Sequence, residues 1–242
     1  MRQSSGAFCL QTIVRKAAED CRSPRRFARN VEPIFLVSVL IKHPSLGVVI
    51  LGAGASVRMG QPKLLLPWRD TTVIGGIFSQ WRELGAAQIT IVMRPNDAEL
   101  TAELDRLDFP TANRIENPQP ERGMFSSIVC AANWNGWRKE ISNWAVVLGD
   151  QPHLQTETLA QLLEFQAQNP GKICQPMSGG RLAHPVILPT SAWKELKTTR
   201  ADTLKDFLKL VAAPRVQCEA NDPGLTLDLD TPEDYKRLTG SH

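Results

Sequence analysis

Two stretches of the chain, Val48-Val49-Ile50-Leu51 and Ala145-Val146-Val147-Leu148, are apolar at every position, and each runs directly into a glycine. A strand with one wet face alternates apolar and polar side chains. An unbroken apolar run therefore marks a strand buried on both faces, as in a parallel sheet covered by helices. Between these runs the apolar spacing switches to the helical period. Val73, Ile74, Ile77, Phe78, Trp81 and Leu84 fall on one face of a helix over 71–84 that Gly85 ends.

The remaining segments follow the same alternation. Residues 89–93 predict a strand, and 96–107 a helix capped by Asn96. A proline-broken stretch over 115–120 precedes a helix with Ile128, Ala131 and Ala132 on one face, ending near Trp137. Residues 144–148 predict a strand, 156–168 a helix, and 172–177 and 185–188 two strands flanking the Ser178-Gly179-Gly180 turn. A helix over 201–210, a strand near 225–229 and a last helix from Pro232 complete the pattern. Strands alternating with helices predict an α/β fold with a mostly parallel sheet and helices on both faces, in one domain over 46–242.

Composition narrows the function. With 242 residues, 42% hydrophobic and 22% charged, the chain is no disordered protein, coiled coil or collagen-like repeat. The longest largely apolar stretch, 34–41, has eight residues, against the roughly 20 that span a bilayer. Five cysteines without a CxxC pair form neither a disulfide framework nor a zinc site, and fit a reducing cytoplasm. Residues 1–45 hold eight Arg and Lys against three acidic residues, whereas the rest carry 20 basic and 22 acidic side chains. The overall charge of +3 thus comes from this segment, which reads as an appended basic extension, disordered or from a misassigned start. Neither nucleic acid nor a membrane is expected as a partner of the domain.

In open α/β sheets ligands bind beyond the carboxyl ends of the strands. The first such loop reads Gly52-Ala53-Gly54-Ala55-Ser56-Val57-Arg58-Met59-Gly60-Gln61-Pro62-Lys63. Its glycines permit close approach of backbone N–H groups to an anion, and Arg58 and Lys63 supply two cations beside them. Val57 stands where the dinucleotide pattern GxGxxG needs glycine, and Leu64 follows Lys63 where the Walker A loop needs Ser or Thr. The alternative is a tight turn with two surface cations.

The stretch from Leu51 to Trp68 resembles the signature loop LAAGxSxRMGxxKxLLP of the nucleotidyltransferases of the molybdopterin type. Three further segments resemble that family in order: Asn117-Pro118 with Gly123-Met124 and Ser126-Ser127, Gly149-Asp150-Gln151-Pro152, and Asp228-Leu229-Asp230-Thr231-Pro232-Glu233-Asp234. His184-Pro185-Val186 and Gly149-Asp150-Gln151-Pro152 favour the molybdenum cofactor cytidylyltransferase branch. The likeness covers about 190 residues and leaves out 1–45.

The resemblance implies a Rossmann-like nucleotidyltransferase fold, and transfer of CMP from CTP to molybdopterin with release of pyrophosphate. It implies Mg²⁺ as cofactor, and a molybdoenzyme as recipient of the product. By the same carry-over Leu51, Gly52, Ala53, Gly54, Arg58 and Lys63 bind the nucleotide phosphates, with Arg58, Lys63 and Asp150 catalytic. Asn117, Gly123, Ser126 and Ser127 contact the base or ribose, and Asp150 and Asp228 hold the metal. His184 is placed against the acceptor substrate.

Simpler readings stand beside these roles. Asp150 could cap a turn, Asp230 could cap the last helix, Ser126 could cap a helix, and a histidine before proline is often structural. Trp81 reads as core, while Trp134, Trp137 and Trp144 read equally as packing or as a stacking platform. Gly52 departs from the family, which usually has alanine there. The alternatives for the whole chain are a GTP-dependent or other-acceptor transferase, or a non-catalytic delivery protein for a molybdoenzyme.

Overall fold

The computed structural model describes residues 43–240; the basic extension expected over 1–45 lies almost wholly outside them. Among the described residues an eight-stranded sheet runs in the order β10-β7-β9-β6-β1-β4-β5, with β8 paired to β7. Its centre is β1 (His43–Leu51), parallel to both β4 (Ala86–Met93) and β6 (Asn143–Leu148). At one end β4 is parallel to β5 (Arg114–Glu116). On the other side β9 (Val186–Pro189) is antiparallel to β6 and to β7 (Ile173–Ser178), and β10 (Arg215–Glu219) is parallel to β7. The fold is the expected α/β arrangement, with antiparallel pairing in the main sheet confined to the pairs β6–β9, β7–β9 and β7–β8 (Arg181–Leu182).

Successive strand side chains point to opposite faces, and both faces are covered. Val48 and Ile50 of β1 join Ile91, Ala145 and Val147 in one core, under helices α1 (Val73–Glu83), α2 (Ala98–Arg106) and α4 (Thr156–Gln168). Val49 joins Val92 and Val146 in a second core under α3 (Met124–Asn133), α5 (Thr190–Glu195) and α6 (Leu204–Leu210). Val48, Val49 and Ile50 are fully buried, as the unbroken apolar run requires. A two-stranded hairpin, β2 (Pro67–Trp68) and β3 (Thr71–Thr72), leads into α1, which the Thr72 hydroxyl caps by accepting from Gly75 N.

Several elements depart from expectation for local reasons. Helix α2 is capped by Asp97, whose carboxylate accepts from Leu100 N, because Asn96 takes a left-handed conformation (φ 58°) and cannot serve. Helix α3 stops at Asn133, since Trp134 is extended. The strand expected over 225–229 is instead a 3₁₀ turn, Pro223–Thr226, capped by Asp222. Leu225 and Leu229 are buried there as anchors rather than as strand residues. The short β5, the exposed edge strand β10 and the single-turn α5 carry too little apolar periodicity to announce themselves.

Trp81, Trp137 and Trp144 resolve as packing, whereas Trp134 also lines a cavity beside α3. Trp81 is 1% exposed, and Trp144 stacks on Trp193 at 4.8 Å with Trp137 edge-on to both. Trp134 packs edge-on to Trp137 at 5.3 Å.

Candidate active site

Because β1 and β6 are paired with Leu51 opposite Leu148, the loops that leave them emerge side by side at the carboxyl edge of the sheet. Gly149 makes this approach possible: a Cβ there would lie 2.7 Å from the Leu51 carbonyl oxygen. The two loops wall a cavity of about 530 Å³ lined by residues 51–56 together with Lys63, Arg94, Gly123, Ser127 and Asp150. The loop expected to bind phosphates therefore does face a cavity.

The loop is held by contacts of its own. Ser56, in a left-handed conformation (φ 49°), accepts a hydrogen bond from Lys63 N at 3.2 Å and closes the turn. Arg94, one residue beyond β4, donates from Nε to the Ala53 carbonyl at 3.0 Å. A Cβ on Gly54 would meet nothing within 4 Å, so packing does not demand glycine there and the space beside it belongs to the cavity. Gly123, with φ 85° and ψ 180°, occupies a region essentially reserved to glycine. At Gly52 a Cβ would lie 2.9 Å from Ile91 Cδ1 and 3.1 Å from the Val92 carbonyl oxygen. The departure from alanine is thus matched by a bulky Ile91 behind the loop.

Charge converges around Lys63 and Asp150, which line this cavity. Lys63 Nζ lies 2.5 Å from Asp150 Oδ2 and 3.3 Å from Asp230 Oδ1, and Arg58 Nη2 lies 2.6 Å from Asp230 Oδ2. Asp228 sits beside them, its Oδ1 accepting from Gln151 Nε2 at 3.3 Å. Partial burial of its carboxylate, and then the neighbouring charges of Asp150 and Asp230, raise the Asp228 pKa above the ordinary value. Three carboxylates crowd together here against two cations.

His184 lies near enough to the same cluster for Asp150 and Asp228 to act on its charge. Its Nδ1 lies 3.3 Å from the Val146 carbonyl oxygen. Loss of solvent around the ring lowers its pKa, against the opposing pull of Val146, Asp150 and Asp228. The imidazole is therefore neutral at neutral pH.

The structure separates the remaining expected residues. Ser127 and Gly123 line the cavity, but Asn117 and Ser126 line a neighbouring one of about 680 Å³. Asn117 is buried and donates from Nδ2 to Ser126 Oγ at 2.8 Å and Ser127 Oγ at 3.0 Å, while its Oδ1 accepts from Gln119 N. It braces the wall between the two cavities. Ser126 does not cap α3, whose N-cap is Gly123, and Asp230 does not cap the last helix, α7 (Pro232–Thr239), which Thr231 and Asp234 close with a capping box. Reading the residues in order did not single out Ser56 or Arg94. For Arg94 a signal existed, since it stands at the carboxyl end of a parallel strand.

The acidic cluster suits a divalent cation. Asp150 Oδ1 is buried and without a hydrogen-bond partner, an oxygen left free for a ligand of another kind. No group of three or more His, Cys, Asp or Glu side chains among the described residues is arranged to hold a metal by protein atoms alone. Magnesium-type sites seldom need one, because substrate phosphate and water complete the shell. No helix among the described residues is long and apolar enough to cross a membrane.

Comparison with known proteins agrees with this geometry. A family model described as the MobA-like NTP transferase domain matches residues 48–217. The molybdenum cofactor cytidylyltransferase of Escherichia coli is 24% identical over 187 residues, covering 77% of this chain and 92% of that protein. The crystal structure of Rv0371c from Mycobacterium tuberculosis matches with a TM-score of 0.61 at 26% identity, covering 81% of this chain and 98% of that one. A second structure of the same mycobacterial protein, in complex with manganese, matches with a TM-score of 0.58 at 24% identity, covering 82% and 100%.

Proposed function

The chain belongs to the MobA-like NTP transferase family, and we propose that it is a cytoplasmic cytidylyltransferase moving CMP from CTP to molybdopterin. The observation that carries this reading is the pairing of Lys63 and Asp150 on the wall of a cavity formed with the 51–56 loop, with Asp228 beside Asp150 and Arg58 joined to Lys63 through Asp230. The identity to the Escherichia coli cytidylyltransferase supports the choice of CTP and of a molybdopterin acceptor.

The reaction joins an acceptor phosphate oxygen to the α-phosphorus of the nucleotide, while the bond from that phosphorus to the bridging oxygen of the β-phosphate breaks and pyrophosphate leaves. Two anions must meet, so cations and backbone donors aimed at the developing charge do most of the work. The backbone of 52–56 receives phosphate oxygens in the space beside Gly54. Lys63 and Arg58 neutralise charge on the α-phosphate and the departing pyrophosphate. Gly123 and Ser127 lie across the cavity and contact the nucleoside.

Asp150 and Asp228 would hold a divalent cation, Mg²⁺ in the first instance, and the manganese complex of the mycobacterial protein supports that class of ion. The ion supplies Lewis-acid polarisation of the α-phosphate. The neutral imidazole of His184, its Nδ1–H turned to the Val146 carbonyl, keeps Nε2 as a hydrogen-bond acceptor and is assigned to the acceptor substrate. A molybdoenzyme is the expected recipient of the product.

The deciding experiment is pyrophosphate release from CTP and from GTP with Mg²⁺ and molybdopterin. Release with CTP alone is expected. Release with GTP alone would overturn the choice of base. Nucleotide binding without release would favour another acceptor or a delivery role.

A further inference from the structure

Asp230 has been left without a task. The capping of α7 is complete without it, for Thr231 Oγ1 accepts from Asp234 N at 3.2 Å and Thr231 N donates to Asp234 Oδ2 at 3.0 Å. Its carboxylate is instead divided between the two loop cations, Oδ2 on Arg58 at 2.6 Å and Oδ1 on Lys63 at 3.3 Å, across 172 and 167 positions of sequence. The Arg58 side chain is 71% exposed and, among the described residues, makes no other ion pair. An exposed arginine on a glycine-rich loop has many conformers, and this one is held next to Lys63, a residue of the cavity wall, by a single carboxylate.

We propose that Asp230 is a displaceable counter-ion: it holds Arg58 and Lys63 together until a triphosphate takes them from it. The inference rests on the nucleotide-binding reading given above. Guanidinium prefers a phosphate that offers two oxygens in a fork and carries more charge than a carboxylate. The exchange therefore runs in favour of a polyphosphate, at the cost of freeing Asp230. The carboxylate thus acts as a positioning residue with two consequences. In the absence of ligand it keeps Arg58 gathered beside Lys63, which Asp150 also holds, and it subtracts from the affinity of every ligand by the strength of the pairs that must open.

Exposed and half-exposed ion pairs are individually weak, so removing the competitor is expected to tighten binding by about fivefold. The measurement is calorimetric binding of CTP and of cytidine to the full chain in chelating buffer, for wild type, Asp230→Asn, Asp228→Asn, Arg58→Gln and the Asp230→Asn/Arg58→Gln double variant. Asp230→Asn is expected to gain affinity for CTP and to leave cytidine unchanged. The gain should be absent when Asp230→Asn is added to Arg58→Gln. Asp228→Asn removes the same charge without touching either cation, and should gain less.

Equal CTP affinity in wild type and Asp230→Asn overturns the proposal. So does an equal gain from Asp228→Asn, which would reduce the effect to net charge, or a gain that survives loss of Arg58. If wild type binds CTP only with Mg²⁺ and Asp230→Asn likewise, Asp230 is not the barrier and the proposal fails while nucleotide binding stands. If no variant binds CTP with or without Mg²⁺, both fail.

Discussion

Lys63 Nζ and Asp150 Oδ2, 87 positions apart in sequence, lie 2.5 Å apart where the loops after β1 and β6 meet. The pair is largely withdrawn from solvent, with side-chain exposures of 15% and 18%. Replacing Lys63 by glutamine leaves Asp150 facing two other carboxylates, at a cost to stability of about 1–2 kcal/mol. The loss of a cation aimed at developing phosphate charge should lower pyrophosphate release far more, on the order of 10²–10³-fold. Thermal melting and steady-state turnover measured on one preparation check the contrast. Comparable losses in both would make Lys63 a structural residue.

The carboxylate cluster predicts opposite effects with and without metal. The Asp228 pKa is raised by partial burial and by Asp150 and Asp230, so its charged form is disfavoured in the folded chain. Asp228→Asn should therefore melt at a higher temperature than wild type in chelator. Added Mg²⁺ should raise the melting temperature of wild type, and should do so far less for Asp228→Asn or Asp150→Ala. A folded Asp150→Ala protein with normal turnover would remove the metal from this site.

Two glycines of one loop should behave differently on substitution. Gly54→Val adds a Cβ that meets no heavy atom within 4 Å and directs its methyl groups toward the ligand space. Stability should then stay within about 0.5 kcal/mol of wild type while CTP affinity collapses. Gly52→Ala instead drives a methyl against Ile91 and the Val92 carbonyl, and should cost about 1–3 kcal/mol as overpacking. Adding Ile91→Val should recover part of that loss. Melting curves of the four proteins with CTP titrations distinguish crowding of the core from filling of the ligand space.

The contrast between these glycines reflects what was legible in the sequence. Val48–Leu51 and Ala145–Leu148 predict central strands because burial on both faces is a local property of composition. Lys63 and Asp150 were legible for a related reason, as each follows such a strand at short range. Arg94 and Asp230 were not. Their partners, the Ala53 carbonyl and Arg58, lie 41 and 172 positions away, and only the assembled sheet edge brings them close. Leu225 and Leu229 have the look of a strand, yet Asp222 caps a 3₁₀ turn over Pro223–Thr226 that takes in Leu225. The family likeness gave Asn117 as a nucleoside contact, whereas its amide is spent on Ser126, Ser127 and Gln119.

His184 predicts a pH dependence whose sign follows from the direction of its shift. Loss of solvent lowers its folded-state pKa below the ordinary value of 6.5. Between those two values the unfolded chain binds the proton more readily than the folded one, so stability is full above about 6.5 and falls as the pH drops through that window. His184→Asn should flatten the acid side of the profile, although it loses some stability at pH 8. Melting temperatures from pH 8 to pH 5 check this. A wild-type profile no steeper than that of the variant would mean that His184 is not held neutral by the fold.

Asp222 supports the site from a distance. Its buried carboxylate accepts from Gly224 N at 2.8 Å and from Gln155 N at 3.0 Å, fastening the 3₁₀ turn to the start of α4. His153 Nε2 lies 3.1 Å from the Gly224 carbonyl and 3.2 Å from that of Leu227, adding a second tie between the same two segments. The chain then passes through buried Leu229, so the placement of Asp228 and Asp230 beside Asp150 depends on this fastening. Asp222→Ala removes the acceptors of the buried Gly224 N–H and of the Gln155 N–H, and should cost about 1–3 kcal/mol. Asp222→Asn keeps one acceptor oxygen and should recover roughly half of it. If the fastening positions the metal carboxylates, Mg²⁺ affinity should follow the same order, wild type above Asp222→Asn above Asp222→Ala, in samples that remain folded at low temperature. Equal Mg²⁺ affinity in all three would confine Asp222 to stability and detach it from the site.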